Sequence, residues 1–253
     1  MSERRSRRAV AAGVALVAVL GAAGGGCSGS DPAPPAAPAT STTEAPPATA
    51  APTTQDEAAD EVIASEALLT ADEVPGGPWI EGDARSSSAG TGLDCDAMAD
   101  ESEYFNEHAK GAPGAKAPEL DDEANQTSVQ LDVNIVADEE VATTVAGFFA
   151  DDRFAGCLEE RLLDDATAGS ATITDATVAP IAIDPVGDSA VAWSVTFTIT
   201  QGTDQTEVSG IIAFVQVGRG FANVSLIGMT PPTAADIEPI LAAAASKLET
   251  ALA

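Results

Sequence analysis

Three thiols, one imidazole and forty carboxylates are the groups in this 253-residue chain that could react, ligate a metal or be modified. Hydrolysis by a serine or cysteine needs a base beside the nucleophile, and the histidine on offer is His108, in "NEHAKG", with no G-x-S-x-G turn. A lone imidazole in that setting reads as a surface residue. "PGGPW" and "GRGF" lack the P-loop Lys-Ser/Thr and the dinucleotide glycine spacing, so no phosphate cradle is expected. In "LDCDAMADESE", Asp94, Asp96, Asp100 and Glu101 begin like a calcium loop. Met98 and Ala99 then stand where the next ligand and the turn glycine belong, which leaves weak calcium association at most. Carboxylate pairs for glycoside hydrolysis carry no information in a chain this acidic. Aromatic rings are scarce, so Trp79, Tyr104 and Trp193 are the candidates for lining a cleft, although Trp193 falls on the inward phase of a strand and suits core packing better. No catalytic residue, cofactor or metal site is predicted.

The thiols say more. The leader "MSERRSRR" carries four arginines and is followed by fifteen residues, "AVAAGVALVAVLGAA", without a charge. This is a positive n-region and an apolar h-region, short of the ~20 residues that a permanent span requires. Gly25, Gly26 and Cys27 then resemble a bacterial lipobox, with Gly24 where leucine is usual. The resemblance implies a signal peptide over residues 1–26 and a diacylglyceryl group on the Cys27 thiol. The alternative is an ordinary signal peptide cut nearby or an uncleaved signal anchor. With Cys27 assigned to lipid, Cys95 and Cys157 remain, an even pair in an oxidising compartment. A disulfide between them is expected, with two buried free thiols as the alternative. One histidine and no C-x-x-C spacing speak against zinc.

Residues 27–57 read as a lipid-anchored, disordered linker rich in Pro, Ala and Thr, too poor in large apolar side chains to offset the cost of ordering. At ~3.1 Å per residue it spans several tens of Å and holds a domain away from the membrane. The formal net charge of the chain is −29. Cleavage before Cys27 removes four of the 11 basic and one of the 40 acidic side chains, leaving −32. Such a field repels nucleic-acid phosphates and anionic headgroups and attracts divalent cations, polyamines or basic peptides.

The positioning elements belong to one domain, residues 58–253. "QDEAADEVIASEALLTADEVPGGPW" suggests a short helix with apolar Val62, Leu68 and Leu69, a further turn capped by Thr70, and a stop at Pro75–Pro78. Residues 85–123 are the most irregular, with a helix near "CDAMADESEYFNEHA". In "VQLDVNIVAD", Val129, Leu131, Val133 and Ile135 alternate with polar residues, the period of a half-buried strand. Asp138, Glu139 and Glu140 then open a helix striped by Val141, Val145, Phe148 and Phe149, and a second helix turns Cys157 inward. "ATITDATVAPIAID" is a strand interrupted by Pro180; "SAVAWSVTFTIT", "TEVSGIIAFVQVG" and "FANVSLIGM" complete a meander with short turns. A C-terminal amphipathic helix carries Pro239, and starting it at Asp236 puts the proline in the first turn, where its missing N–H is harmless. The fold class is α+β: an antiparallel β-sheet of about five strands packed against helices on one face or both.

"ALLTADEVPGGPW", "FFADDRFAGCLEERL", the apolar meander and the final helix together resemble the extracytoplasmic sensor-type domains of actinobacterial lipoproteins. They are also similar to the external domain of PknH-type mycobacterial serine/threonine kinases. The resemblance implies a ligand- or partner-sensing module with a cleft, not an enzyme. The resulting expectation is an outward-facing module of the cell envelope, anchored to the membrane through Cys27, that binds a small ligand or an envelope protein. A carrier with an apolar, lipid-holding cavity beneath the sheet is the alternative, and a cell-wall hydrolase is the weakest reading.

Overall fold

The long alternating runs of the C-terminal half become four neighbouring strands, β5 (Ala171–Ile181), β6 (Ser189–Gln201), β7 (Asp204–Val217) and β8 (Gly220–Gly228), in a computed structural model that describes residues 56–82, 95–164 and 171–253. The two turns are as tight as the sequence implies: Gln201 pairs with Asp204, and Val217 with Gly220. Beyond the meander, β8 pairs along its whole length with β4 (Thr127–Ile135). Three short strands extend that edge: β1 (Ile80–Glu81), β2 (Gly114–Lys116) and β3 (Leu120–Asp122). The sheet has eight strands in the order β1-β3-β4-β8-β7-β6-β5, with β2 also on β4, and every pairing is antiparallel.

Pro180 does not interrupt its strand. It sits in register with Trp193, because β5 is the outer strand and a proline there forfeits only a bond directed away from the sheet. β2 and β3 lie in the region expected to be irregular and β1 just before it; their two or three residues are too few to show a period.

Helices cover both faces. On one side lie α2 (Ala99–His108), α3 (Glu139–Ala150) and α4 (Phe154–Asp164), with α3 on β6 and β7 and α4 on β5. The Asp138 carboxylate caps α3 by accepting from Val141 N at 2.9 Å. All seven phenylalanines pack into this layer around Trp193. Phe149 stacks on Phe214 with ring centroids 3.9 Å apart, while Phe148 and Phe154 meet neighbouring rings edge-on. The aromatic packing stops at β8. On the same side, β4 and β8 place Gln130 opposite Ser225 and Asp132 opposite Asn223. The polar phase of β4 is therefore not simply a solvent face: Ser128 and Gln130 are buried.

On the other side, α1 (Glu57–Glu66) and α5 (Ala234–Leu252) pack against an aliphatic, alanine-rich face of β4, β8 and β7. Small side chains such as Ala213, Ala222, Ala244 and Ala245 let α5 approach closely. At Gly220 a Cβ would stand 2.7 Å from Leu248 Cδ1, so the backbone itself is the contact surface there. In α1 the apolar stripe differs from expectation. Val62 is exposed, whereas Asp60 is buried and pairs with Arg219, which also donates to Val136 O at 3.2 Å. Burying a carboxylate is tolerable when a guanidinium neutralises it.

The last helix starts three residues earlier than the proline argument predicts. Thr233 is its N-cap, and the Asp236 carboxylate accepts from Thr233 N and Oγ1, each at 2.7 Å. Pro239 therefore lies inside α5 and forgoes a bond to Ala235 O. The reciprocal cap, together with burial of Ile237 and Ile240, outweighs that loss. Among the described residues no helix is long and apolar enough to cross a membrane.

Candidate functional site

The site that the fold builds around a sequence candidate is a cleft at the α5 amino end of the sheet. It begins with the loop before Trp79. The Glu73 carboxylate accepts from Thr70 N at 2.9 Å, and Glu73 N and Val74 N donate back to Thr70 O, closing the turn predicted to start at Thr70. Val74 is buried and holds the loop to the aliphatic layer. Gly76 then adopts φ +88°, a conformation that glycine reaches without strain. The next glycine is required for a different reason: a Cβ on Gly77 would lie 2.1 Å from Trp79 Cδ1, so the indole folds against bare backbone. Trp79 Nε1 donates to Pro75 O at 3.2 Å, which orients the ring.

Trp79 leads directly into β1, and Ile80 pairs with Asp121 of β3, bringing the indole beside the β3–β4 turn. That turn is organised by Asp122, which is 4 % exposed. Its Oδ1 accepts from Ala124 N at 3.0 Å and Asn125 N at 3.2 Å, and its Oδ2 from Asn125 Nδ2 at 2.6 Å. The Asn125 amide, aided by these backbone donors, holds the Asp122 carboxyl below its ordinary range, so it is ionised at neutral pH. Facing the turn are Thr230, Pro231 and Pro232 from the β8–α5 connection, and Ala235, Asp236 and Pro239 from the first turns of α5. Together they enclose about 350 Å³, with Leu226 and Ile240 also lining it. The walls are an indole and proline rings; the polar groups are carboxylates, an amide and hydroxyls.

The other singled-out residues lie elsewhere. Trp193 is 1 % exposed in the aromatic layer and lines no cleft. Its Nε1–H donates to Phe149 O at 3.1 Å, satisfying one of the carbonyls left open at the end of α3. The sequence candidacy for a cleft therefore fails at Trp193, because the inward phase of β6 carries its ring under α3. Tyr104 is half-buried on α2, its ring centroid 4.3 Å from that of His108, and is not among the Trp79 cleft residues. His108 is exposed beside Glu107, at 3.8 Å.

Cys95 and Cys157 form a disulfide with Cα atoms 5.3 Å apart, tying the segment before α2 to α4. Beside it, Arg153 clamps the same junction, donating to Asp151 Oδ2 and Glu101 Oε1, both at 2.7 Å, and to Ala97 O at 3.2 Å. Arg153 pulls the Asp151 carboxyl down to about 2. Glu101 thus serves an ion pair. Among the described residues no group of three His, Cys, Asp or Glu side chains is placed to hold a metal. Cys27 and Asp94 lie outside the described residues, as does nearly all of the linker.

The polar half of the cleft was not singled out in the sequence. Asp122, Asn125 and Asp236 sit among forty acids and many turn residues; "DDEANQT" hints at the first two only as a loop, and Asp236 reads only as a helix start.

The architecture is an α+β domain: one antiparallel sheet between two helical layers, ending in a meander and a C-terminal helix. No family model matches the chain, and no curated protein matches it. Among solved structures it is similar to the extracellular domain of PknH from Mycobacterium tuberculosis, with a TM-score of 0.45 and 15 % identity over 75 % of this chain and 96 % of that one. This is the domain type that the order of elements in the sequence resembles.

Proposed function

We propose that the chain is an outward-facing cell-envelope protein, tethered to the membrane through a lipid on Cys27, whose domain binds a small ligand or an envelope partner without catalysing a reaction. The observation that supports this reading is the Trp79 cleft. An indole held by Pro75 and Gly77, an ionised carboxylate at Asp122, and Pro231, Pro232 and Pro239 converge there from three segments more than 40 residues apart in sequence. Concave sites with apolar walls and a few fixed polar groups are where ligands are held. The residues lining the cleft include no histidine, cysteine, serine or lysine; the one histidine, His108, is exposed on α2. A carrier would hold its lipid between sheet and helices. Among the described residues, side chains such as Phe149, Phe154 and Trp193 fill one such layer, and Ile237, Leu241 and Leu248 the other.

Two measurements test the reading. Metabolic labelling with a fatty acid is expected to mark the full chain and to leave Cys27→Ala unlabelled and unanchored. With 15N-tryptophan in the full chain, the two indole N–H signals separate the cleft from the core. Envelope extracts that carry the ligand shift the Trp79 signal and leave that of Trp193 in place. A Trp79 signal that no envelope fraction moves would remove the cleft from this role.

A further inference from the structure

We propose that the Trp79 cleft takes a small organic ammonium ion, with the cation on the indole face and its charge answered by Asp122 and Asp236. The inference rests on the cleft being a ligand seat and adds the class of ligand.

The charge of the lining decides between ligand classes. None of the residues around the cleft is a lysine, arginine or histidine, and two are aspartates. Asp122 is nearly inaccessible yet ionised, its three donors leaving roughly one of about four lone-pair positions unused. The two bonds that Asp236 accepts both fall on Oδ2, so Oδ1 remains available at the rim. The amino end of α5 also points into this region, and a helix amino terminus favours anions with about half a unit charge. Two full negative charges outweigh it, one of them the carboxylate that already caps that helix. An anionic ligand would therefore meet net repulsion.

Between a cation and a neutral polyol, the aromatic wall and the field of the whole chain favour the cation. An indole face attracts an ammonium group through its quadrupole, most strongly where water is excluded. Pro231, Pro232 and Pro239 supply rigid apolar surface for the methyl or methylene groups beside the nitrogen. The net charge of −29 raises the local concentration of cations before any contact is made. The volume of about 350 Å³ suits a quaternary ammonium head or a short polyamine, not a folded partner.

Calorimetric titration of the full chain in a non-ionic detergent, with four probes, tests this. Choline and spermidine are expected to bind. 3,3-Dimethylbutan-1-ol, which has the shape of choline without its charge, is expected to bind at least about tenfold more weakly, and a neutral disaccharide not at all. Trp79→Ala should weaken choline about tenfold or more, and Trp79→Phe, which keeps an aromatic face, should retain most of the affinity. Asp122→Asn should weaken choline while leaving the circular dichroism spectrum unchanged. Equal binding of choline and its uncharged analogue, or a disaccharide that shifts the Trp79 indole signal, would overturn the ammonium class and leave the cleft as a binding site. Spermidine binding that is indifferent to Trp79→Ala would mean condensation on the acidic surface, and would also overturn the proposal. If none of the four probes moves the Trp79 signal, the ammonium class falls, and the extract experiment alone decides the fate of the cleft.

Discussion

The two faces of the sheet solve the same burial problem with different materials. One is covered by seven phenylalanines and Trp193, with a disulfide and the Arg153 clamp at its margin. The other is covered by alanine, isoleucine, leucine and valine beneath α5, close enough that Gly220 touches Leu248. Large rings span the gap beneath α3 and α4 and need specific partners, including a hydrogen bond for the indole. Small aliphatic side chains permit close approach instead, so their face is sensitive to added bulk and insensitive to orientation. The cleft forms where the close-packed face ends, at the first turns of α5, and its indole is carried by a loop and packs at the margin of the aliphatic core.

If that contrast is right, truncation should harm the aromatic face most. Trp193→Ala is expected to cost about 5 kcal/mol, from lost packing and an unpaired Phe149 carbonyl, measured by urea unfolding. A loss below about 2 kcal/mol would mean that the ring layer collapses around the gap and is not a jigsaw. Next comes the bridge: Cys157→Ser removes a cross-link between residues 62 apart, worth about 4 kcal/mol in the chain-entropy model. Thiol titration of unfolded Cys27→Ala should find no free thiols until a reductant is added. On the aliphatic face the sensitive change is an addition. Gly220→Ala should cost about 1–3 kcal/mol by forcing Leu248 away, and a neutral result would break the claim of close approach.

The smallest effect separates surface electrostatics from packing on the α5 side. Lys247 pairs with Glu73 and draws its carboxyl down to about 2 from 4.5, helped by the Thr70 backbone. A carboxylate whose folded pKa is depressed stabilises the fold above its unfolded value and loses that contribution as pH falls toward the folded one. Glu73→Gln should therefore cost about 0.5 kcal/mol or less at neutral pH, because the pair is partly exposed. The difference from the parent should vanish between pH 4.5 and about 2. A gap that persists at pH 2 would assign the effect to packing.

Much of the fold was legible because its signals are local. The alternation Val191, Trp193, Val195, Phe197, Ile199 needs only its own neighbours to declare a strand, and Asp138 ahead of the Val141–Phe149 stripe declares a helix start. Two local arguments failed where the outcome depended on distant residues. Pro180 is tolerated because β5 lies at the edge of the sheet, which no window around the proline reveals. Pro239 is tolerated inside α5 because Ile237 and Ile240 are buried against the sheet, adding to the Thr233–Asp236 cap. The cleft was legible at one residue, Trp79, through its rarity.

What the sequence alone determined is therefore what near neighbours can encode: the charged leader and its cysteine as an expectation, an even pair of thiols downstream, and the type of each long element. Tertiary structure decided that β4 crosses the intervening helices to pair with β8, and that Trp79, Asp122 and Asp236 share one cleft. Periodicity is a property of a few consecutive residues. Pairing across a hundred residues depends on packing free energy summed over the whole sheet, which no single stretch of the chain contains.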